Sequence, residues 1–281
     1  MKQIFIKNII NILILLFFLI LFVIGFFVTP DELVLNRVNL SVNHWDKKHN
    51  NLKIAIISDI HAGAPFINSK KLEKIVELTN KEKPDLILLP GDFVEKGVIG
   101  GKFVRPEPIV KTLSKLNSKY GVVAVLGNHD WDYNGKKVTL ALENEKIHVL
   151  ENSAKELIIN GKPLWIGGLA DLTMRLPDIE TTLNKIKSNS SILLLSHNPD
   201  VFPFVPDKVS LTISGHTHGG QVKLPFVGRL IVPSEFGQRY AAGHINENNK
   251  DLYVSAGIGT SRIPVRFDVL PEIVILTLKS K

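Results

Sequence analysis

Leu52–His61 reads LKIAIISDIH, and this stretch decides the fold. It opens as an isoleucine-rich apolar run, Leu52–Ser58, of the length and composition of a strand buried on both faces. It closes on Asp59 and His61, two metal-ligand types set where the strand stops. The pattern returns downstream. Leu86–Leu89 runs into Pro90-Gly91-Asp92, and Val122–Leu126 into Gly127-Asn128-His129-Asp130. Ile192–Leu195 leads to Ser196-His197-Asn198, and Leu211–Ile213 to Ser214-Gly215-His216-Thr217-His218-Gly219-Gly220.

Between these runs, helical spacing over Ser69–Asn80 gathers Leu72, Ile75, Val76 and Leu78 on one face. Helices are also predicted at Ile109–Leu116 and Ile179–Ile186. Shorter strands are predicted at Leu157–Ile159 and Leu164–Ile166, and a strand-rich final third at Leu230–Val232, Leu252–Val254 and Ile273–Leu278. Strand–helix alternation of this kind predicts an α/β fold with helices packed outside sheets. No internal repeat and no linker divides it.

In open α/β sheets ligands bind beyond the carboxyl ends of the strands. Read singly, each segment has a plain alternative: Asp92 as a helix N-cap, His61 as a loop residue, Asn128 as turn chemistry. The Gly-His-Thr-His-Gly-Gly segment is more specific, because flanking glycines let two imidazoles converge where the backbone turns sharply. Read together, the segments hold five of the nine histidines. Their carboxylate, amide and imidazole donors suit Mn²⁺, Fe²⁺ or Zn²⁺. Two such ions about 3.5–4 Å apart would share a carboxylate and a bridging hydroxide, water's pKa being lowered toward ~7. A neighbouring imidazolium would protonate the leaving alkoxide.

Composition removes other chemistries. There is no cysteine, which excludes disulfides, thiolate zinc sites and thiol nucleophiles. The formal charge is +7, but the lysines are dispersed and form no long basic run, so no nucleic-acid partner is expected.

The N-terminus is different. Ile12–Val28 is uninterrupted apolar sequence, and the span from Ile9 to Val28 covers roughly 30 Å as a helix, the thickness of a bilayer's hydrocarbon core. It lacks the short h-region and small-residue cleavage site of a signal peptide. A retained anchor over residues 1–29 is therefore expected, then a juxtamembrane segment and first strand over 30–51, then one domain over 52–281. Lys2 and Lys7 before the span, against Asp31 and Glu32 after it, put the domain on the extracytoplasmic side of the cell membrane.

The ordered set D-x-H, G-D, G-N-H-D, a lone His and G-H-x-H resembles the calcineurin-like metallophosphoesterase superfamily from Leu52 to the C-terminus. Gly215–Pro225 (GHTHGGQVKLP), Gly257-Ile-Gly-Thr-Ser261 and Pro264-Val-Arg-Phe267 resemble a membrane-associated bacterial branch. The resemblance implies a four-layer α/β/β/α sandwich. It implies that Asp59, His61 and His218 bind one divalent ion, that Asn128, His197 and His216 bind a second, and that Asp92 bridges them. His129 would be the general acid, with Asp130 orienting it. The implied reaction is hydrolysis of phosphomonoesters or phosphodiesters. A lipid-linked substrate, such as the UDP-diacylglucosamine pyrophosphate cleaved by related enzymes on the cytoplasmic face, is the alternative. A third reading is a non-catalytic anchored module that binds anionic polymer.

Outside these motifs, Arg239, Arg262 and Arg266 are candidates for clamping a phosphate, although a surface arginine is the plainer reading of each. Gln221 and Lys223 follow the histidine pair and are candidates to face the site. Trp165 and Phe202 are expected in the core, and His44, His49, His148 and His244 on the surface or in loops.

Overall fold

The apolar N-terminus forms α1 (Lys2–Val23), which continues through a widened π-type turn at Ile24–Val28 and a tight turn at Thr29–Asp31. Within Gln3–Asp31 the most apolar 18 residues have a mean hydropathy of 3.2, and among the described residues this is the one helix long and apolar enough to cross a membrane. The computed structural model describes residues 2–184, 186 and 190–281.

The rest of the chain alternates strand and helix: β1 (Val34–Val42), β2 (Leu52–Ile56), α2 (Ser69–Lys81), β3 (Leu86–Leu89), α3 (Pro106–Leu113), β4 (Val122–Ala124), α4 (Asn128–Asn144) and β5 (His148–Val149). It continues with β6 (Ser153–Ile159), β7 (Lys162–Gly168), α5 (Ile179–Leu183), β8 (Ser191–Leu195) and β9 (Leu211–Ser214). A small hairpin, β10 (Lys223–Leu224) and β11 (Gly228–Arg229), precedes β12 (Gly243–Glu247), β13 (Lys250–Val254) and β14 (Glu272–Ser280).

Two six-stranded sheets result, ordered β1-β14-β2-β3-β4-β5 and β12-β13-β9-β8-β7-β6. β2, β3 and β4 run parallel, as do β7, β8 and β9. These central strands are apolar on both faces because both faces are covered. Ile54, Ile56, Leu88 and Val123 meet Leu164, Ile166, Leu193 and Ile213 between the sheets. The alternate residues Ala55, Ile57, Ile87, Leu89 and Ala124 face outward onto Ile75, Ile109, Val110 and Leu142 of α2, α3 and α4. The second sheet is covered more thinly, by α5 and a tight turn over Pro199–Phe204, with Ile192 and Leu194 against Leu183, Val201 and Val205. The expected α/β/β/α sandwich is present.

Local signals set the helix ends. The Asn68 side chain caps α2 by accepting the Lys71 N–H at 3.0 Å, and Pro106 starts α3 where its missing N–H costs nothing. Four local expectations fail, the first being the helix predicted over Ile109–Leu116, which spans Pro106–Leu113 instead. Leu230–Val232 is not a strand but a loop in which Leu230 and Ile231 lie in solvent. His49 is buried rather than superficial, its ring 3.1 Å from the Ser191 hydroxyl. The helix predicted to Ile186 ends at Leu183, and its last predicted turn includes residue 185, outside the described residues.

α1 is joined to the folded domain. The Gly25 carbonyl accepts the Arg266 N–H at 2.9 Å, and Thr29 and Pro30 are buried. The buried Lys71 ammonium reaches the Asp31 carboxylate at 3.2 Å and donates to the Asp31 and Glu32 carbonyls. β1 then starts at Val34 opposite Glu272, while Val274 lies opposite Ile56. The helix therefore enters the first sheet at the end where β2, β3 and β4 finish.

Candidate metal centre

That end of the sandwich collects the strand-end motifs. Asp59 and His61 follow β2, Asp92 follows β3, and Asn128 opens α4 after β4; His197 follows β8, and His216 and His218 follow β9. All seven side chains converge across the seam between the two sheets.

The orientation of the imidazoles carries the argument. His197 Nδ1–H donates to the Pro90 carbonyl at 2.8 Å, His61 Nδ1–H to Glu95 Oε2 at 3.1 Å, and His218 Nδ1–H to the Gly259 carbonyl at 3.3 Å. With Nδ1 committed to a fixed acceptor, each ring turns its Nε2 inward, the arrangement by which protein histidines are oriented toward metals. His61 Nε2 lies 3.2 Å from both His218 Nε2 and Asp92 Oδ2. His197 Nε2 lies 3.2 Å from the same Asp92 Oδ2, from Asn128 Oδ1 and from His216 Nδ1. His218 Nε2 is 3.7 Å from Asp59 Oδ1. Asp92 thus stands between one group of Asp59, His61 and His218 and another of Asn128, His197 and His216.

Backbone geometry supports this convergence at a cost. Asp59, His61, Asp92, His216 and His218 all have positive φ, between 47° and 70°, a region that non-glycine residues seldom enter. Close packing supplies the compensation. Asp59 Oδ1 accepts the His216 N–H at 2.9 Å, and Asp92 Oδ1 accepts the His129 N–H at 2.9 Å. A Cβ on Gly127 would stand 2.2 Å from Asp92 Oδ1, and one on Gly215 would stand 2.3 Å from Asp59 Oδ2, so neither position has room for a side chain.

The electrostatics follow. Burial opposes charge throughout, but hydrogen bonds to Asp92 and Glu95 overcome it at His61 and push its pKa up to about 9. Burial likewise opposes charge at His197, and attraction to Asp92 takes it up to about 10. Asp92 is also penalised by burial, yet His197 and His61 hold it well below the usual carboxylate range. Burial raises Asp59, and the Asp92 charge adds to the rise. Burial, then the positive His197, press His216 down to about 3; burial, then His61, hold His218 well below the usual imidazole range. The raised His61 and His197 thus lie against the buried carboxylates that raise them. The donor set, two carboxylates, an amide oxygen and four inward-facing imidazoles, fits borderline divalent cations in that place.

His129 sits at the rim, its side chain 25% exposed, with Nδ1 2.8 Å from Glu95 Oε2. Glu95 was not among the residues expected here. It lies in a loop three residues after Asp92, with only the Asp-Phe-Val-Glu run to suggest it, and it holds both His61 and His129. Burial disfavours its charge, but the His129 and His61 hydrogen bonds keep it ionised, below the usual range. Asp130, expected to orient His129, has another role. Its carboxylate accepts the N–H groups of Asp92, Phe93, Val94 and Gly127, at 2.8 to 3.2 Å, and so joins the Asp92 loop to the start of α4. Burial and the Asp92 charge raise Asp130 to about 7 against those bonds.

The arginines separate. Arg266 is fully buried, which removes it from the surface and from any substrate; its guanidinium donates to the Ala256, Gly257 and Gly259 carbonyls and lies 3.5 Å from His218 Nδ1. Burial lowers its pKa to about 10. Arg239 is exposed, paired with Glu247 and set over the Tyr240 ring; Arg262 is also exposed. Gln221 accepts the Ser261 N–H at 2.6 Å, and Lys223 pairs with Asp268 at 3.2 Å, so both brace the loop after residue 260. Phe202 is core, and Trp165 packs half-buried beside α5. His44, His148 and His244 are exposed.

An α/β/β/α sandwich whose strand ends gather metal-ligand side chains from both sheets defines a class, the metal-dependent hydrolases of this architecture. The sequence profile of the calcineurin-like phosphoesterases matches residues 52–220, and the chain belongs to that family. It is 34% identical over 231 residues to the metallophosphoesterase YkuE of Bacillus subtilis, spanning 81% of this chain and 79% of that one. A metallophosphoesterase of Aquifex aeolicus is 32% identical over 243 residues, 83% of this chain and 87% of the other. A transmembrane protein with a metallophosphoesterase domain from Danio rerio is 30% identical over 260 residues, 86% of this chain and 56% of the longer relative. The protein is accordingly a metal-dependent phosphoester hydrolase.

Proposed function

We propose that this chain is a membrane-anchored phosphomonoesterase or phosphodiesterase working with two divalent cations, Mn, Fe or Zn. Asp59, His61 and His218 would hold one, Asn128, His197 and His216 the other, and Asp92 both. When bound, the cations supply the Lewis acidity that neutralises phosphoryl charge and lowers the pKa of water. The chain's own part is positional. Glu95 keeps the His129 Nδ1 proton in place, so Nε2 is the atom that carries a proton to the departing oxygen. The observation that carries this reading is the inward set of Nε2 atoms around Asp92, each fixed from behind by its Nδ1 acceptor.

α1 would be a single-pass anchor, with the domain on the extracytoplasmic face by the positive-inside rule. The Danio rerio relative, named for a transmembrane protein, supports anchoring. Entry of α1 at the catalytic end of the sheet supports a lipid-linked phosphate ester as the natural substrate.

The test uses the full chain in nanodiscs with nitrophenyl phosphate mono- and diesters. After chelation, activity is expected to return on adding Mn²⁺, Fe²⁺ or Zn²⁺, with two ions bound per chain. On an alkyl phosphate ester, whose leaving alkoxide needs the proton, His129→Ala should lower kcat about 10²–10⁴-fold with the bound metal retained. Undiminished turnover by Asp92→Asn would sink the proposal.

A further inference from the structure

β10 and β11 pair only with each other in a two-stranded sheet apart from the main pair. The connecting loop is Pro225-Phe226-Val227. Phe226 is 109% exposed and has a φ of 64°, a left-handed conformation rare for a bulky aromatic residue. Val227, Leu230 and Ile231 extend the apolar surface at 62%, 57% and 77% exposure. Four large apolar residues within six positions, held out in this way, are an interaction surface rather than chance exposure.

Hydrogen bonds to the segment that holds α1 identify the occupant. The root of the hairpin is bonded to the segment that holds α1: the Lys223 N–H donates to the Phe267 carbonyl at 2.9 Å, and the Phe267 N–H to the Gln221 carbonyl at 2.9 Å. The residue before Phe267 is Arg266, whose N–H is bonded to Gly25. Gly25 lies three residues inside the end of the apolar run at Val28, about 4.5 Å along a helix axis. The root is therefore level with the edge of the apolar span, not remote from it. At the hairpin base Lys223 lies opposite Arg229, and both are engaged within the protein, Lys223 with Asp268 and Arg229 with the Gly219 carbonyl, so the apolar tip makes the contact.

We propose that residues 223–231 form a second membrane contact, with Phe226, Val227, Leu230 and Ile231 seated at the headgroup–acyl boundary of the bilayer that α1 spans. The inference rests on the reading of α1 as an anchor. Because His218 leads through Gly219 and Gly220 into this hairpin, the contact would hold the mouth of the metal centre at the bilayer surface.

The absence of cysteine makes the test clean, since any introduced thiol is unique. Leu16→Cys, Phe226→Cys and Ile158→Cys chains are each labelled with an environment-sensitive fluorophore and placed, full length, in nanodiscs containing shallow or deep lipid-borne quenchers. Ile158 is 61% exposed and lies opposite Pro163 at the far end of the sandwich from the metal centre. The Leu16 label is expected to lose most of its emission to the deep quencher, and the Phe226 label to the shallow one, about 5–10 Å into the interface. The Ile158 label should lose none. Quenching at Leu16 without quenching at Phe226 overturns the hairpin contact and leaves the anchor standing. No quenching at Leu16 refutes the anchor, and the inference with it. A Phe226 label unquenched by lipid but shielded in proportion to protein concentration would indicate contact between copies of the chain and would also overturn it.

Discussion

Replacing Glu95 by glutamine separates its two duties. One carboxylate oxygen accepts from His129 at 2.8 Å and from His61 at 3.1 Å. Glutamine preserves the shape and removes the negative charge that faces the His129 Nδ1–H. A hydrogen bond to a charged partner contributes about 1.5–3 kcal/mol. At about 1.4 kcal/mol per factor of ten, kcat should fall roughly 10- to 150-fold. The fall should depend on the leaving group. An alkyl alkoxide needs the proton and should bear the full loss, whereas nitrophenolate departs unaided and should bear little of it. The assay is kcat at saturating metal for both ester types, so that weaker ligation by His61 is compensated. Glu95→Gln should add little in a His129→Ala background, because residues acting as one unit are not additive. Equal losses on both esters, or a full loss without His129, would refute the claim that Glu95 works through that imidazole.

Three other outcomes are expected. Gly127→Ala places a methyl group 2.2 Å from Asp92 Oδ1 and 2.6 Å from His197 Cε1; overpacking of this kind costs about 1–3 kcal/mol, and bound metal, measured by elemental analysis, should drop before secondary structure does. Arg266→Met leaves the Ala256 carbonyl without its donor, whereas the Gly257 and Gly259 carbonyls keep the Glu272 N–H and the His218 Nδ1–H; a buried acceptor left unpaired costs about 1–3 kcal/mol, and denaturant unfolding should register a loss of that order. In chelator-treated protein, His61 and His197 titrate at about 9 and about 10, above the unfolded histidine value of 6.5. Their stabilisation is then complete below about pH 6.5 and is lost as pH rises through those values, so Tm should fall toward pH 10; a rising Tm would contradict the assignment.

The sequence was most legible where both faces of an element are buried. Parallel strands such as β2, β3 and β8 cannot be other than continuous apolar runs, and the polar residue ending each run marks where the sheet opens. Those markers brought all seven proposed ligands to one place. Elements with mixed duties were harder to read. The first turn of α4 carries Asn128, His129 and Asp130 for the site, and Asn134 breaks its helical backbone at φ −179°, so no clean apolar stripe announced it. β12 is a half-exposed edge strand, too polar to resemble its neighbours. Leu230–Val232 misled in the opposite direction, being apolar but set in solvent. Glu95 and Arg266 act through single long-range contacts, and spacing along a chain does not encode these. Arg266 is buried because carbonyl oxygens from its own C-terminal segment surround it, an arrangement visible only in three dimensions.

The proposed ligand set straddles the seam between the sheets. Asp59, His61, Asp92 and Asn128 come from one half of the molecule, and His197, His216 and His218 from the other. Neither proposed cage closes with residues of one half alone. Cations would therefore act as rivets through the sandwich, and any breathing of one half away from the other would dismantle both cages together. Loss of catalytic competence on heating should then precede global melting, and metal occupancy should report on how tightly the halves stay shut.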